Sequence, residues 1–366
     1  RPYGLVTLGQ SAVRVRAGGT DFGFSTENEW WGPGVRNALF LSDNAEGFPH
    51  LYARTARPLR TRIGVLEARW LVGSLTRSLY YDTTSTPQFR SFSGLAVTLR
   101  PAPTPHLTLG VQRTVITDIG GAWTRSLGRS LDALWTWTSD VNKRIEADQL
   151  FGGFVRYVLP EDHVEVYAEY ARSVTPANPR ELLVVPQDGQ GYTVGAQVAR
   201  PLPRLRGLAG ATPVLRVQVE ATNLEQSVTI QQNRWGPPPF YTGFVAPGGY
   251  THRGQVLGAA IGPSGQSQWL ATDLLGGERQ LGVFVGRIRW NNDALYQQAG
   301  PNFFRHDASV YAGARAATRV SYADVRAEFY WAKRYNYEFQ NGRANPGGRR
   351  TVDMKNLTLR LDVTPR

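Results

Sequence analysis

The sequence predicts an all-β fold: a transmembrane antiparallel β-barrel of about 16–18 strands, one domain over residues 1–366, with a short helical plug or cover segment. Three observations predict it. Apolar and polar residues alternate with period two along most of the chain, as in strands with one apolar and one polar face. Glycine (39) and proline (23) interrupt that alternation often, so turns are frequent. The polar face carries Arg, Glu and Gln in strand after strand, whereas the sheets of a soluble sandwich meet through apolar faces. A propeller would show a blade repeat of roughly 40–50 residues, and the sequence has none.

Taken in order, alternation begins over 3–9 and continues where Val13 and Val15 oppose Arg14 and Arg16. It recurs over 49–56, 61–76, 88–100 and 105–117, with the turn cluster PAPTP at 101–105. Residues 127–146 depart from it. Leu127, Leu131, Leu134, Val141 and Ile145 recur at steps of three, four and seven, which is helical spacing. A helix in a barrel lies outside the bilayer or inside the lumen, and this one is expected to plug or cover the barrel. Strands resume over 150–159, and Val164, Val166, Ala168 and Tyr170 then alternate with Glu165, Tyr167 and Glu169. Further strands are expected over 189–200, 215–221, 227–233 and 267–275. Phe284, Ile288 and Trp290 share one face, Arg287 and Arg289 the other, with the arginines expected in the lumen. The series ends with 308–318, 320–337 and the Leu357, Leu359, Leu361, Val363 face. Trp70, Tyr80, Tyr81, Tyr157, Tyr170, Trp290, Tyr330 and Trp331 fall near strand ends, where girdle aromatics meet the membrane interface.

Composition narrows the function. The chain carries 41 basic and 29 acidic residues, a net charge of +12. Only Lys143, Lys333 and Lys355 are lysines; the other basic residues are arginine. That bias is either compositional or marks guanidinium forks that pair with carboxylate or phosphate. On the strands' polar faces arginine exceeds glutamate, which gives either a wall-stiffening Arg–Glu network or a lumen that attracts acidic sugars. Cysteine is absent, which excludes disulfides, thiolate zinc sites and cysteine nucleophiles. HExxH, GxSxG and phosphate-cradling loops are missing, and the five histidines are scattered. No catalytic residue, cofactor, metal or nucleic-acid partner is therefore expected. The chain opens at Arg1 without an apolar leader and reads as processed or trimmed.

The informative block is NEWWGPGVRNALFLSDNAEGFP at 28–49. Trp30 and Trp31 precede Gly-Pro-Gly, where the backbone turns sharply, and Arg36 and Asn37 follow. Indole faces and polar forks suit sugar rings and their carboxylates. Alternatively the Trp pair packs over the turn and anchors a loop folded into the lumen. Together with GYTHRGQVLGAAIGPSGQSQWL at 249–270 and RIRWNNDALY at 287–296, this block resembles the Wzi-type capsule-assembly outer-membrane proteins. The resemblance implies a barrel of the outer membrane whose lumen is closed by helices and inward loops. It also implies lectin-like attachment of capsular polysaccharide at the cell surface. The arginine bias makes that polymer expected to be acidic, and the residue chemistry above makes Trp30, Trp31, Arg36, Asn37, Arg287 and Arg289 the candidate contacts. The alternatives are a porin for anions or oligosaccharides and a structural subunit with an outer-membrane protein partner. The end at Thr364-Pro365-Arg366 departs from the terminal aromatic usual in such barrels.

Overall fold

The computed structural model describes residues 8–78, 89–135, 147–174, 179–203, 212–233, 238–243, 246, 248–297, 305–339 and 352–365. The alternating segments form β1 (Ala12–Ala17), β2 (Thr20–Ser25), β3 (His50–Thr55), β4 (Leu59–Arg60), β5 (Gly64–Thr76), β6 (Phe89–Pro101), β7 (Leu107–Gly120), β8 (Ala147–Leu159) and β9 (Val164–Arg172). They continue as β10 (Gln190–Pro201), β11 (Val214–Asn223), the short β12 (Thr251–His252) and β13 (Gln255–Val256), then β14 (Gln266–Gly276), β15 (Arg279–Arg289), β16 (Ala308–Val320), β17 (Ala323–Tyr335) and β18 (Met354–Pro365). Sixteen strands form one sheet in chain order, with β4 pairing only with β5, while β12 and β13 pair with each other. β1 and β18 stand at the two ends of the sheet, and no ladder joins them among the described residues. The strand over 20–25 was not foreseen, and 227–233 is a helix (Val228–Asn233) rather than a strand. Most of the strand expected over 3–9, with Tyr80 and Tyr81, lies outside the described residues.

The antiparallel register sorts side chains into two faces. Val219, Leu270, Val285 and Ala312 are successive cross-strand partners on the outer face. Val283 is 60% and Leu359 78% exposed, an arrangement that hydrocarbon accepts and water does not. No described helix is long and apolar enough to cross a membrane. On the inner face, large rings lie over glycines of the next strand: Tyr167 over Gly195, Tyr311 over Gly286, Phe154 over Gly110.

That packing reverses β15. A Cβ at Gly282 would fall 2.0 Å from the Asp273 carboxylate, and one at Gly286 2.4 Å from the Tyr311 ring. Both glycines must face the crowded lumen, so Phe284 between them also points inward, where it is buried with Trp269 and Tyr311. Arg287 and Arg289, expected in the lumen, therefore lie on the outer face. Tyr330 and Trp290, expected in a girdle, turn inward: Tyr330 packs beside Phe284, and Trp290 Nε1 donates to Ser309 Oγ at 2.8 Å.

The helical segment is also displaced from its expected place. A 3₁₀ helix (Trp123–Arg129) and one α-turn (Asp132–Trp135) account for its described part, while 136–146 lies outside the described residues. The described part lies outside the lumen. Trp70 Nε1 and Ser93 Oγ, on the outer face of β5 and β6, donate to the Ser130 carbonyl at 2.8 and 2.9 Å. Arg113, on the outer face of β7, donates to the Ala133 carbonyl at 3.2 Å. The segment thus covers polar groups on the outer wall and leaves Trp123, Leu127 and Leu131 exposed toward the membrane. Deleting residues 123–135 is expected to leave single-channel conductance at its wild-type level; a large rise would return the segment to the plug.

At one end of the barrel the connections are tight, over 18–19, 277–278 and 321–322; at the other they are long, over 26–49, 224–265 and 290–307. Short turns mark the periplasmic end of such barrels and long loops the extracellular one.

Candidate functional site

The loop 26–49 leaves β2 at the long-loop end and fills the lumen. The Trp31 N–H donates to the Leu41 carbonyl at 3.0 Å, closing a turn with Gly-Pro-Gly at its tip. Gly32 has φ +114°, and a Cβ there would lie 2.6 Å from Glu169 Oε2, so both backbone and space require glycine. The following backbone makes a nest of N–H groups around the wall carboxylate of Glu220. Val35 and Asn37 donate to it at 2.6 and 2.8 Å, Arg36 at 3.1 Å, and the Tyr167 hydroxyl at 2.7 Å. The Leu39 N–H meets Glu169 at 3.3 Å. Leu39, Phe40 and Leu41 are buried in the main hydrophobic cluster with Leu71, Phe92, Phe240 and Tyr241.

The loop 224–265 closes over this plug. Tyr241 Oη donates to the Leu39 carbonyl at 2.7 Å, and the Ser42 N–H donates to the Leu257 carbonyl at 2.8 Å. Arg90, fully buried at the end of β6, donates to the carbonyls of Gly249 and Thr251 at 2.5 and 2.6 Å. Burial, with the nearby charges of Arg253 and Arg90, pushes His252 down to about 3. Its neutral Nδ1 accepts the Thr76 N–H at 3.2 Å.

The candidate residues separate into three places. Trp31 is 4% exposed: its ring packs over Gly94, and its Nε1 donates to Glu29, which pairs with Arg69 of the wall. Burial raises the Glu29 carboxyl, but His50, whose Nε2 lies 3.6 Å away, and the Arg69 charge outweigh it and hold the group below the usual range. Asn37 is buried too, donating to Ser267 Oγ and accepting from Thr193 Oγ1, both at 3.0 Å. Both serve the plug. Trp30 and Arg36 instead face a half-open cavity of about 990 Å³. Trp30 ties its indole N–H to the Gly34 carbonyl at 3.0 Å and leaves its ring 41% exposed. Arg287 and Arg289 belong to the outer wall.

The cavity lies beneath the plug toward the short turns, since Arg100, Arg156 and Arg216 of its lining stand close to those strand ends. Arg36 and Arg315 sit over the Trp269 ring at 5.7 and 5.9 Å. Arg315 and Arg216 share the buried Asp273 at 2.7 and 2.9 Å, and Arg156 makes a two-pronged pair with Glu165 at 2.7 Å. Arg36, Arg100, Arg156, Arg216 and Arg315 outnumber the lining carboxylates Glu67 and Glu165. The vestibule is therefore a positively charged, aromatic-floored surface suited to anionic, ring-shaped ligands. Of this set Arg36 was among the candidate contacts; Arg100, Arg156, Arg216 and Arg315 were read only as part of the polar strand faces, and Trp269 was not singled out although it stands in the block 249–270.

Fold and site together define a transmembrane barrel plugged by its own loops, with a cationic vestibule under the plug. The chain belongs to the capsule assembly protein Wzi family, whose model matches residues 4–283. Among solved structures it is similar to Wzi of Escherichia coli, described as an outer membrane protein involved in group 1 capsule assembly and a carbohydrate-binding β-barrel. The two are 16% identical, with a TM-score of 0.64 over 96% of this chain and 68% of that one. No curated protein matches the chain.

Proposed function

We propose that this chain is an outer-membrane, carbohydrate-binding barrel of capsule assembly that holds acidic polysaccharide non-catalytically in the vestibule. The observation that carries this reading is the exposed Trp30 ring beside Arg36, in a cavity where arginine exceeds carboxylate. An indole face stacks on sugar C–H groups, while guanidinium forks receive carboxylates. Family membership and the carbohydrate binding ascribed to the Escherichia coli barrel support it. The filled lumen speaks against an open porin.

A polymer touching several weak subsites gains avidity that a short oligomer lacks. The purified barrel is accordingly expected to retain an acidic polysaccharide on a pull-down matrix and to bind its short fragments weakly. Trp30→Ala and Arg36→Ala should each lower polymer retention with the barrel still folded. Trp31→Ala should instead cost about 3–5 kcal/mol of stability by emptying a packed site. Equal retention of acidic and neutral polymers at low salt would refute the arginine assignment.

A further inference from the structure

On the outer face the apolar surface of β14–β18 gives way to cations at the long-loop end. The register aligns Gln268, Arg287, Val310, Lys333 and Lys355 as successive cross-strand partners. Lys333 and Lys355, two of the chain's three lysines, thus stand directly opposite each other, a like-charge pairing that destabilises a sheet unless an anion lies between them. Among the described residues little of that anion is present. Lys333 Nζ is 3.8 Å from Asp353 and lies over the Tyr335 ring at 4.3 Å. Among the described residues Arg287 donates to the neutral side chains of Gln266 and Gln268, at 3.3 and 3.1 Å. Arg289, one step further out, is already matched by Glu225.

The row stands at a membrane interface. Trp331, two residues before Lys333 on the same face, is 39% exposed. Directly below Arg287, an outer-face groove of about 620 Å³ is lined by Val194, Ala196, Val219, Ala221, Leu270 and Val285. Cations above an apolar groove match an amphipathic anion, with phosphate at the row and a hydrocarbon chain in the groove. The long loops place this row in the extracellular leaflet.

We propose that this face binds a phosphorylated, acylated glycolipid of the extracellular leaflet. Arg287, Lys333 and Lys355 hold its phosphates, and the groove below Arg287 takes an acyl chain. The inference rests on the membrane-spanning reading of the barrel, not on polysaccharide binding in the vestibule.

The test uses the full chain, purified in detergent, delipidated and titrated with lipopolysaccharide while thermal unfolding and co-eluting phosphorus are followed. Wild type should gain stability and retain lipid. The variant Arg287→Gln/Lys333→Gln/Lys355→Gln should bind about a hundredfold more weakly, and its outward-facing positions leave the fold intact. Ala221→Trp, which fills the groove without changing charge, should also weaken binding. Trp30→Ala should bind lipopolysaccharide as wild type does, which separates this site from the vestibule. Equal binding by the triple variant, equal binding of dephosphorylated lipopolysaccharide, or the same stabilisation by inorganic phosphate alone would each overturn the proposal.

Discussion

Replacing Glu220 by alanine is expected to open the barrel. Its carboxylate accepts the N–H groups of Val35, Arg36 and Asn37 and the Tyr167 hydroxyl. Removing it leaves those donors in a site largely shut off from water, where each unsatisfied group costs about 1–3 kcal/mol. Docking of the plug should weaken by about 3–5 kcal/mol, the range for breaking one side of a buried charged contact. In planar bilayers the wild type should conduct little, while Glu220→Ala should show large, fluctuating openings. Glu220→Gln, which retains an acceptor oxygen, should fall between them. Glu169→Ala should act more weakly, because one N–H, from Leu39, meets that carboxylate at 3.3 Å. If Glu220→Ala folds and conducts like the wild type, the latch does not hold the plug.

Val283→Arg should be the most damaging change on the outer wall. Val283 lies mid-strand between Thr272 and Ala314, on the face that is 60% exposed at this residue. An arginine near the bilayer midplane of a barrel costs about 2–4 kcal/mol. The loss should appear as a lowered unfolding free energy in lipid vesicles. Gln280→Arg, which adds the same charge at the end of the strand on the inner face, should cost far less. Equal stability of Val283→Arg and wild type would mean that this face does not meet hydrocarbon.

The strands were legible where both faces are uniform. Leu357, Leu359, Leu361 and Val363 read as one outer face, and Glu165, Tyr167 and Glu169 as one inner face, because no residue of either set contradicts its neighbours. β15 was not legible in this way. Its inner face is Gly282, Phe284 and Gly286, and hydropathy alone assigns Phe284 to lipid. What turns the strand is the bulk of Asp273 and Tyr311 on neighbouring strands, which no local pattern encodes. The helical spacing after Leu127 meets one α-turn, Asp132–Trp135, among the described residues, and an apolar stripe does not say which side of a wall it faces. The outward Arg113 and Ser93, which need polar partners within the membrane, decide that question. Within the site, the Gly-Pro-Gly turn and its aromatic neighbours marked the right loop. The division of labour between Trp30 and Trp31 depends on which ring meets Gly94, and that is set by the depth to which the loop inserts.

The latch also imposes an order of events in time. Val35 and the Glu220 that receives it are 185 residues apart, so the plug sequence is made early and its seat late. The contact cannot form until β9, β10 and β11 have taken their places, and a connection of that length is slow to close. Sealing is thus expected to follow the placement of β9–β11, with an open, water-filled stage before it. A brief leak during insertion, ending as the loop seats and prolonged in Glu220→Ala, is the electrical trace that this order leaves behind.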